Sequence, residues 1–361
     1  MSTSIDFMTI TIYYFNMNRK AQQSDTSDNT WSRYQDNFSR HLLGVARHSQ
    51  TEMMNTLERE HGHQHLRLGF APYITLLGAG GMRLGDLAQA LGISKQACNQ
   101  ACNQIEWAGY ISRESDPRDG RAKQLVLTED GKQLSRHGLL IAARLDEQFA
   151  DIVSHSAIQD ARRTLSKIYT AANLGQISIS AGPGVMHLTA GLPALADYVL
   201  LRLMAMTSSK GHPGLKLSFG QVLTLIGDSG GKIQHMAAIQ DVSKQAISAT
   251  AKELEALDYI SREPDPRDSR QVVLRFTERG RELIHHSVAS VDELEQEFIA
   301  IAGKRAIAKL KKVLGALYRV LHLEQELSGG SNTVDLSLLA QQLKQQLGAQ
   351  ASQDLGRLLL S

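Results

Sequence analysis

Two short runs carry the side chains best suited to chemistry. Asp116-Pro117-Arg118-Asp119-Gly120-Arg121 returns as Asp265-Pro266-Arg267-Asp268-Ser269-Arg270, and Ser94-Lys95-Gln96 returns as Ser243-Lys244-Gln245. The chemistry these residues offer is hydrogen bonding and charge, not bond making. Arginines on a tight turn can reach phosphate or an adjacent minor groove. Asn and Gln can pair bidentately with adenine, whereas Lys suits guanine or phosphate. After the shared Ser-Lys-Gln the two runs diverge: the first continues with Asn99, Gln100 and Asn103, the second with Ser248, Ala249 and Lys252.

Other candidates carry less. Cys98 and Cys102 stand one helical turn apart and could hold a metal or sense oxidants. They share an apolar stripe with Ala101 and Ile105, and Ile247 and Ala251 replace them in the second run, so a core role is expected. His61, His63 and His65 alternate as metal ligands on an extended segment would. No Cys or acidic cluster supports them beyond Glu58 and Glu60, and they are expected to be solvated, as is His285-His286. Gly78, Gly80 and Gly81 lack the Lys-Ser/Thr of a phosphate loop, and no nucleophile–base set or paired carboxylate stands out. Neither an enzyme, a metal nor a cofactor is expected.

The elements that position these residues are duplicated. The two runs are related by an offset of 149 residues. The same offset relates Tyr110–Glu114 to Tyr259–Glu263, and Thr128, Glu129 and Gly131 to Thr277, Glu278 and Gly280. About half the positions from Ser94 to Leu134 are identical across the copies. Within copy one, Trp31, Tyr34, Phe38, Leu42 and Val45 form one stripe of a long opening helix. A second helix is expected near Leu68–Gly78. Leu84, Leu87, Ala88 and Leu91 mark a short helix that Gly92 ends, and Ser94 caps the next, which runs to about Ala108. A β-hairpin pairs Tyr110–Glu114 with Ala122–Leu127. Thr128 caps a long helix with Glu129 and Asp130 at its positive end. Ile158, Ala161, Leu165, Ile168 and Ala172 form a last stripe, matched in copy two by Ile307, Leu310, Leu314, Leu317 and Leu321 and suited to docking between copies. Two short helices and a hairpin make a winged helix-turn-helix, with the second helix sized for a major groove.

The fold class expected is mainly α with small β-hairpin wings: tandem winged helix-turn-helix domains forming an intramolecular pseudo-dimer. Residues 1–28 are expected to be a disordered leader, with Met17 an alternative start. The first domain spans 29–175, a linker 176–191, the second domain 192–326, and an appended helix 333–361. Gln240 and Asp241 stand where Leu91 and Gly92 end the first copy's short helix, so a looser turn is expected in copy two. Its opening helix is expected to start near Pro193.

Composition limits the partners. With 39 basic and 37 acidic side chains the net charge is +2, which excludes a chain held on nucleic acid by bulk charge but not one with local basic patches. Two cysteines cannot build a secreted disulfide scaffold, and no apolar run of roughly 18 residues is evident. A cytoplasmic protein without membrane contact is expected.

The G-I-S-K-Q at Gly92–Gln96, the D-P-R-D-x-R wing and the following L-T-E-x-G resemble the MarR family of winged-helix transcriptional regulators. The resemblance covers about 31–174 and 192–323. It implies two winged domains presented to one operator by packed terminal helices, here joined in a single chain that is a monomer with internal pseudo-two-fold symmetry. It implies a repressor of double-stranded DNA operators and a small aromatic effector. Asp119 and Arg121 match the family's wing pair, in which the Asp holds the Arg for minor-groove insertion, and Asp268 and Arg270 match it in copy two. Arg118 and Arg267 are supporting wing residues. The DNA-contacting set is then Ser94, Lys95, Gln96, Asn99, Gln100 and Asn103 with the first wing, and Ser243, Lys244, Gln245, Ser248 and Lys252 with the second. The runner-up is a helical sensor or protein-interaction module with lost or one-sided DNA binding.

Overall fold

The computed structural model describes residues 30–117, 119–174, 186–227, 230–240, 242–265 and 268–324, with backbone alone at 268–270. The leader, the appended helix and most of the expected linker lie outside them. The chain separates into two compact units, and their boundary does not follow the repeat. The first unit comprises the described residues up to Leu217 together with Glu278–Leu323; the second is built on Ser218–Thr277.

The first unit opens with α1 (Phe38–Arg59). The expected stripe from Trp31 to Val45 is broken, because Asn37 sits in extended conformation between residues 30–35 and α1. Its Oδ1 accepts from the Arg40 N–H at 3.1 Å, while its Nδ2 donates to the carbonyls of Arg33 and Tyr34 at 3.0 Å. One side chain thus ends one helical turn and starts the next. Leu68–Phe70 forms a 3-10 turn that leads into α2 (Ala71–Gly78), where Pro72 occupies the first turn without losing a helical bond. Then follow β1 (Met82–Arg83), α3 (Leu84–Ala90), α4 (Lys95–Trp107), β2 (Ile111–Asp116) and β3 (Asp119–Leu127). Two long helices, α5 (Glu129–Val153) and α6 (His155–Ala172), complete copy one.

Copy two contributes α7 (Leu188–Ser209), α11 (Glu278–Ala302) and α12 (Lys304–Val320) to the same unit. α7 begins at Leu188, not near Pro193, and equals α1 in length at 22 residues. Asp146 of α5 explains the early start. Its carboxylate accepts from the Leu188 and Thr189 N–H groups at 2.9 and 3.0 Å, and from the Thr189 hydroxyl at 2.9 Å. It therefore neutralises the orphan donors of a helix from the other copy. α7 is also, among the described helices, the one long and apolar enough to cross a membrane, with mean hydropathy 1.3. That corrects the expectation of no such run. Here Leu188, Leu192, Leu195 and Val199 are fully buried as α7 packs along α1 and α11. The terminal-helix stripes meet as their spacing predicts: α6 packs on α12, with Leu165, Ile168, Leu310 and Leu314 all excluded from solvent. Phe38 and Phe298 meet edge to face at 6.2 Å.

The second unit holds α8 (Phe219–Ile226), β4 (Gly231–Lys232), α9 (Ile233–Gln240), α10 (Lys244–Ala256), β5 (Ile260–Asp265) and β6 (Asp268–Phe276). Its core gathers Phe219, Met236, Ile247, Leu254, Tyr259 and Leu274. Each winged lobe carries a three-stranded antiparallel sheet, ordered β1-β3-β2 in one and β4-β6-β5 in the other. The hairpin was legible; its third strand, only two residues long, was not. Pairing runs from Ile111 opposite Leu127 to Asp116 opposite Asp119, and identically from Ile260 opposite Phe276 to Asp265 opposite Asp268. The looser turn expected in copy two keeps its closing bond. The Val242 N–H donates to the Ala237 carbonyl at 3.1 Å, as Ile93 does to Ala88 at 3.0 Å.

Candidate nucleic-acid interface

α4 is amphipathic in the sense its sequence requires. Ser94 accepts the Ala97 N–H at 3.1 Å, and Ser243 accepts that of Ala246 at the same distance in α10. These caps fix the first turn, where Lys95, Gln96, Lys244 and Gln245 are exposed. Cys98, Cys102 and Ile105 are fully buried beneath, which turns Asn99, Gln100 and Asn103 outward. In α10 Ile247, Ala251 and Leu254 play the buried part, leaving Lys252 exposed and Ser248 half-buried. The Cys98 and Cys102 sulfurs lie 4.0 Å apart, in a thiol–thiol hydrogen bond, and form no disulfide. Burial pushes the Cys102 thiol up to about 12 and raises Cys98 too, so both stay protonated and poorly nucleophilic.

The wings are pinned at their roots by residues that the sequence reading overlooked. Arg83 of β1 donates to Asp116 at 2.6 Å and reaches Asp119 at 3.4 Å. In copy two Lys232 of β4 pairs with Asp265 at 2.6 Å. The overlooked signal is that both cations precede a wing aspartate at the common offset. Asp119 is thus shared between the wing root and its own turn. It accepts the Arg121 backbone N–H at 3.2 Å and shares its charge with Arg83, which leaves the Arg121 side chain exposed at the turn. Arg118 and Arg267, and the side chains of Asp268 and Arg270, lie outside the described residues.

Two more side-chain contacts shape the reading face. Arg67 donates to Gln104 at 3.0 Å. Arg113 of β2 donates to Asn99 at 3.1 Å and Asn103 at 2.7 Å, and is ion-paired with Glu106. Beside this helix a cleft of about 620 Å³ is lined by His65, Arg67, Phe70, Gln100, Asn103 and Trp107.

The histidines correct an expectation in part: His65 and His285 are exposed as expected, whereas His63 is buried. His63 is only 8% exposed, and its Nε2 lies 3.0 Å from His137 Nδ1. The pair recurs as His212, 2% exposed, and His286 at 2.8 Å. Burial, then the neighbouring His137 and His61, hold His63 below its ordinary 6.5; burial, then His286, does the same for His212. The expectation fails for His63 because its partner stands 74 residues away in sequence, as His286 stands 74 residues from His212. Among the described residues no group of three or more His, Cys, Asp or Glu could hold a metal ion.

A model of the MarR family matches this chain over residues 74–122 and again over 214–271. The transcriptional activatory protein BadR of Rhodopseudomonas palustris is 26% identical over 87 residues, which are 24% of this chain. The match spans about half, 49%, of that curated relative. Among solved structures, the regulator Tm0710 of Thermotoga maritima is 22% identical, covering 36% of this chain and 94% of its own, with a TM-score of 0.31. A MarR/EmrR family regulator from Acinetobacter sp. ADP1 is 24% identical, covering 38% and 95%, with a TM-score of 0.28. Most of each winged lobe falls within the family matches, and both lobes carry the capped second helix and the pinned three-stranded wing, so the chain contains the winged helix-turn-helix of the MarR family in two segments.

Proposed function

We propose that the chain is a transcriptional regulator that binds a double-stranded DNA operator as a single-chain pseudo-dimer. The observation that carries this reading is the ion pair between Asp160 of α6 and Lys309 of α12 at 2.5 Å. These residues are separated by 149, the repeat offset, and so occupy equivalent positions in the two copies. Equivalent residues of two related copies touch only next to the axis that relates them. In a symmetric homodimer they would be identical and could not be an Asp–Lys pair. Fusion allows opposite charges there and stabilises the internal pairing over the external one. The packing of the long helices α1, α5 and α6 of copy one with α7, α11 and α12 of copy two supports the same reading, because each copy leaves apolar faces that the other covers.

The contacts proposed are Lys95, Gln96, Asn99, Gln100 and Asn103 from α4 and Lys244, Gln245, Ser248 and Lys252 from α10. Arg118, Arg121, Arg267 and Arg270 act from the wings, with Asp119 and Asp268 shaping them. Ser94 and Ser243 add capped helix starts. Unlike reading faces call for unlike half-sites, about one helical turn (roughly 34 Å) apart. The test is an electrophoretic shift with the full chain on the upstream region of its own gene. A shift that is lost on raising the salt is expected, and no shift at low salt with folded protein refutes the reading. Arg121→Ala should weaken binding by about 1–3 kcal/mol if the side chain enters the groove. Repression is the mode proposed, since it requires only occupancy; a reporter that falls when the gene is deleted contradicts it. Two buried, unpaired thiols agree with a cytoplasmic location. The effector proposed is a small aromatic carboxylate in the cleft beside α4, stacked near Trp107 with its charge on Arg67. Titration with benzoate, read by Trp107 fluorescence in a Trp31→Phe background with and without Arg67→Met, checks it.

A further inference from the structure

We infer that Arg113 is a positioning residue that sets the hydrogen-bond polarity of the first reading helix, turning Asn99 and Asn103 into donors that select guanine or thymine over adenine. The inference rests on the DNA-binding reading above and deepens it. A guanidinium donates and never accepts. The Arg113 Nη2 group has two hydrogens, and the two contacts at 3.1 and 2.7 Å use one for Asn99 Oδ1 and one for Asn103 Oδ1. The Nη1 group is ion-paired with Glu106 on the same stripe of α4. Both amides therefore turn their oxygens towards strand β2, and the NH2 groups are the edge that α4 holds out.

Bidentate recognition of adenine needs an Asn to accept from N6 and donate to N7 side by side. An unrestrained amide reaches that arrangement by rotating its plane to meet the base. Each Oδ1 here keeps a second lone pair, but the amide plane is set by the strand and not by the base. Two outward NH2 groups on successive turns match acceptor edges instead: guanine O6 and N7, or thymine O4. The adenine contacts that the residue types alone suggest are thus disfavoured.

Copy two lacks the device while keeping its anchor. Arg262, the counterpart of Arg113, donates to Glu255 at 2.9 Å, and Glu255 is the counterpart of Glu106. Its other arm reaches the Ser248 backbone carbonyl at 3.3 Å. The Arg–Glu pair is shared architecture, and the two asparagines are what copy one adds to it. Arg113 gives its half of the operator a fixed polarity, and Arg262 has no amide to orient.

The experiment is selection from random duplexes with the full chain, as wild type, Arg113→Met, Arg262→Met and Asn99→Ala/Asn103→Ala. Positions that lose their preference in the double alanine variant are those the asparagines read. At these positions wild type is expected to favour guanine or thymine over adenine by about tenfold, within the range for one good base contact. Arg113→Met should erase or reverse that preference, and Arg262→Met should leave it intact. Adenine chosen by wild type overturns the inference, as does an Arg113→Met variant that binds with unchanged base identities. A parallel measurement needs no DNA: the side-chain amide resonances of Asn99 and Asn103 should shift in Arg113→Met and not in Arg262→Met. Unchanged resonances refute the clamp itself, whereas a wild type that enriches no duplex refutes DNA binding with the clamp still visible in the spectrum.

Discussion

At the residue scale, the motif glycine shows how a single hydrogen atom can be a structural requirement. A Cβ on Gly131 would lie 2.0 Å from the Tyr110 carbonyl oxygen, so the L-T-E-x-G glycine lets the start of α5 press against the strand entrance. The same approach lets the Thr128 N–H donate to that carbonyl at 3.1 Å, as Thr277 does to Tyr259 at 3.2 Å. Gly131→Ala should cost about 1–3 kcal/mol, read by denaturant unfolding. Asp258 takes the place of Gly109 in copy two but holds φ at 60°, in the left-handed region. Asp258→Gly should therefore stabilise by up to about 1 kcal/mol, and a loss in thermal melting contradicts it. The histidine pairs set a pH dependence. His63 and His212 have folded pKa values below the ordinary 6.5, so both states are neutral well above it. As pH falls through the unfolded value the unfolded chain takes up protons first, and stability declines towards the folded pKa. Asp130 and Tyr110 lie around His63, and Arg279 and Glu282 around His212. The melting temperature should drop between pH 7.5 and 5.5, with a smaller drop in the His63→Gln/His212→Gln variant.

At the element scale, helix starts and wing roots shape the exposed faces of the winged lobes. Ser94 and Ser243 each satisfy one orphan donor, so Ser→Ala at either should cost about 1 kcal/mol and fray the turn bearing Lys-Gln. Circular dichroism melts read the first effect and duplex affinity the second. Arg83→Met and Lys232→Met should each leave the lobe folded but release its wing aspartate, Asp116 or Asp265. Faster amide exchange confined to β2–β3 or β5–β6 is the expected sign. The caps and the wing turns were legible because their partners stand within a few residues. The pins were not, because β1 is only two residues long and has no periodicity to betray it.

At the scale of the whole molecule, the two copies share helices more closely than they share sequence. Charge reversal tests the axis: Asp160→Lys sets three cations together at Lys309 and Arg163 and should lower the melting temperature, while adding Lys309→Asp should restore part of it. The full chain should sediment as a monomer near 39.7 kDa. A concentration-dependent dimer contradicts the internal pairing.

What the sequence determined by itself was local and repetitive: the duplication, the helical stripes, the capped second helix and the wing turn. Each rests on residues within one or two turns, where spacing alone decides the outcome. Tertiary structure decided everything that depends on distant partners. It gave Asp146 the start of α7, paired His63 with His137, gave the wing aspartate to Arg83 and turned the amides of Asn99 and Asn103 through Arg113. These contacts escape a linear reading because a carboxylate, imidazole or amide declares what it can bond to but not what the fold brings within 3 Å of it.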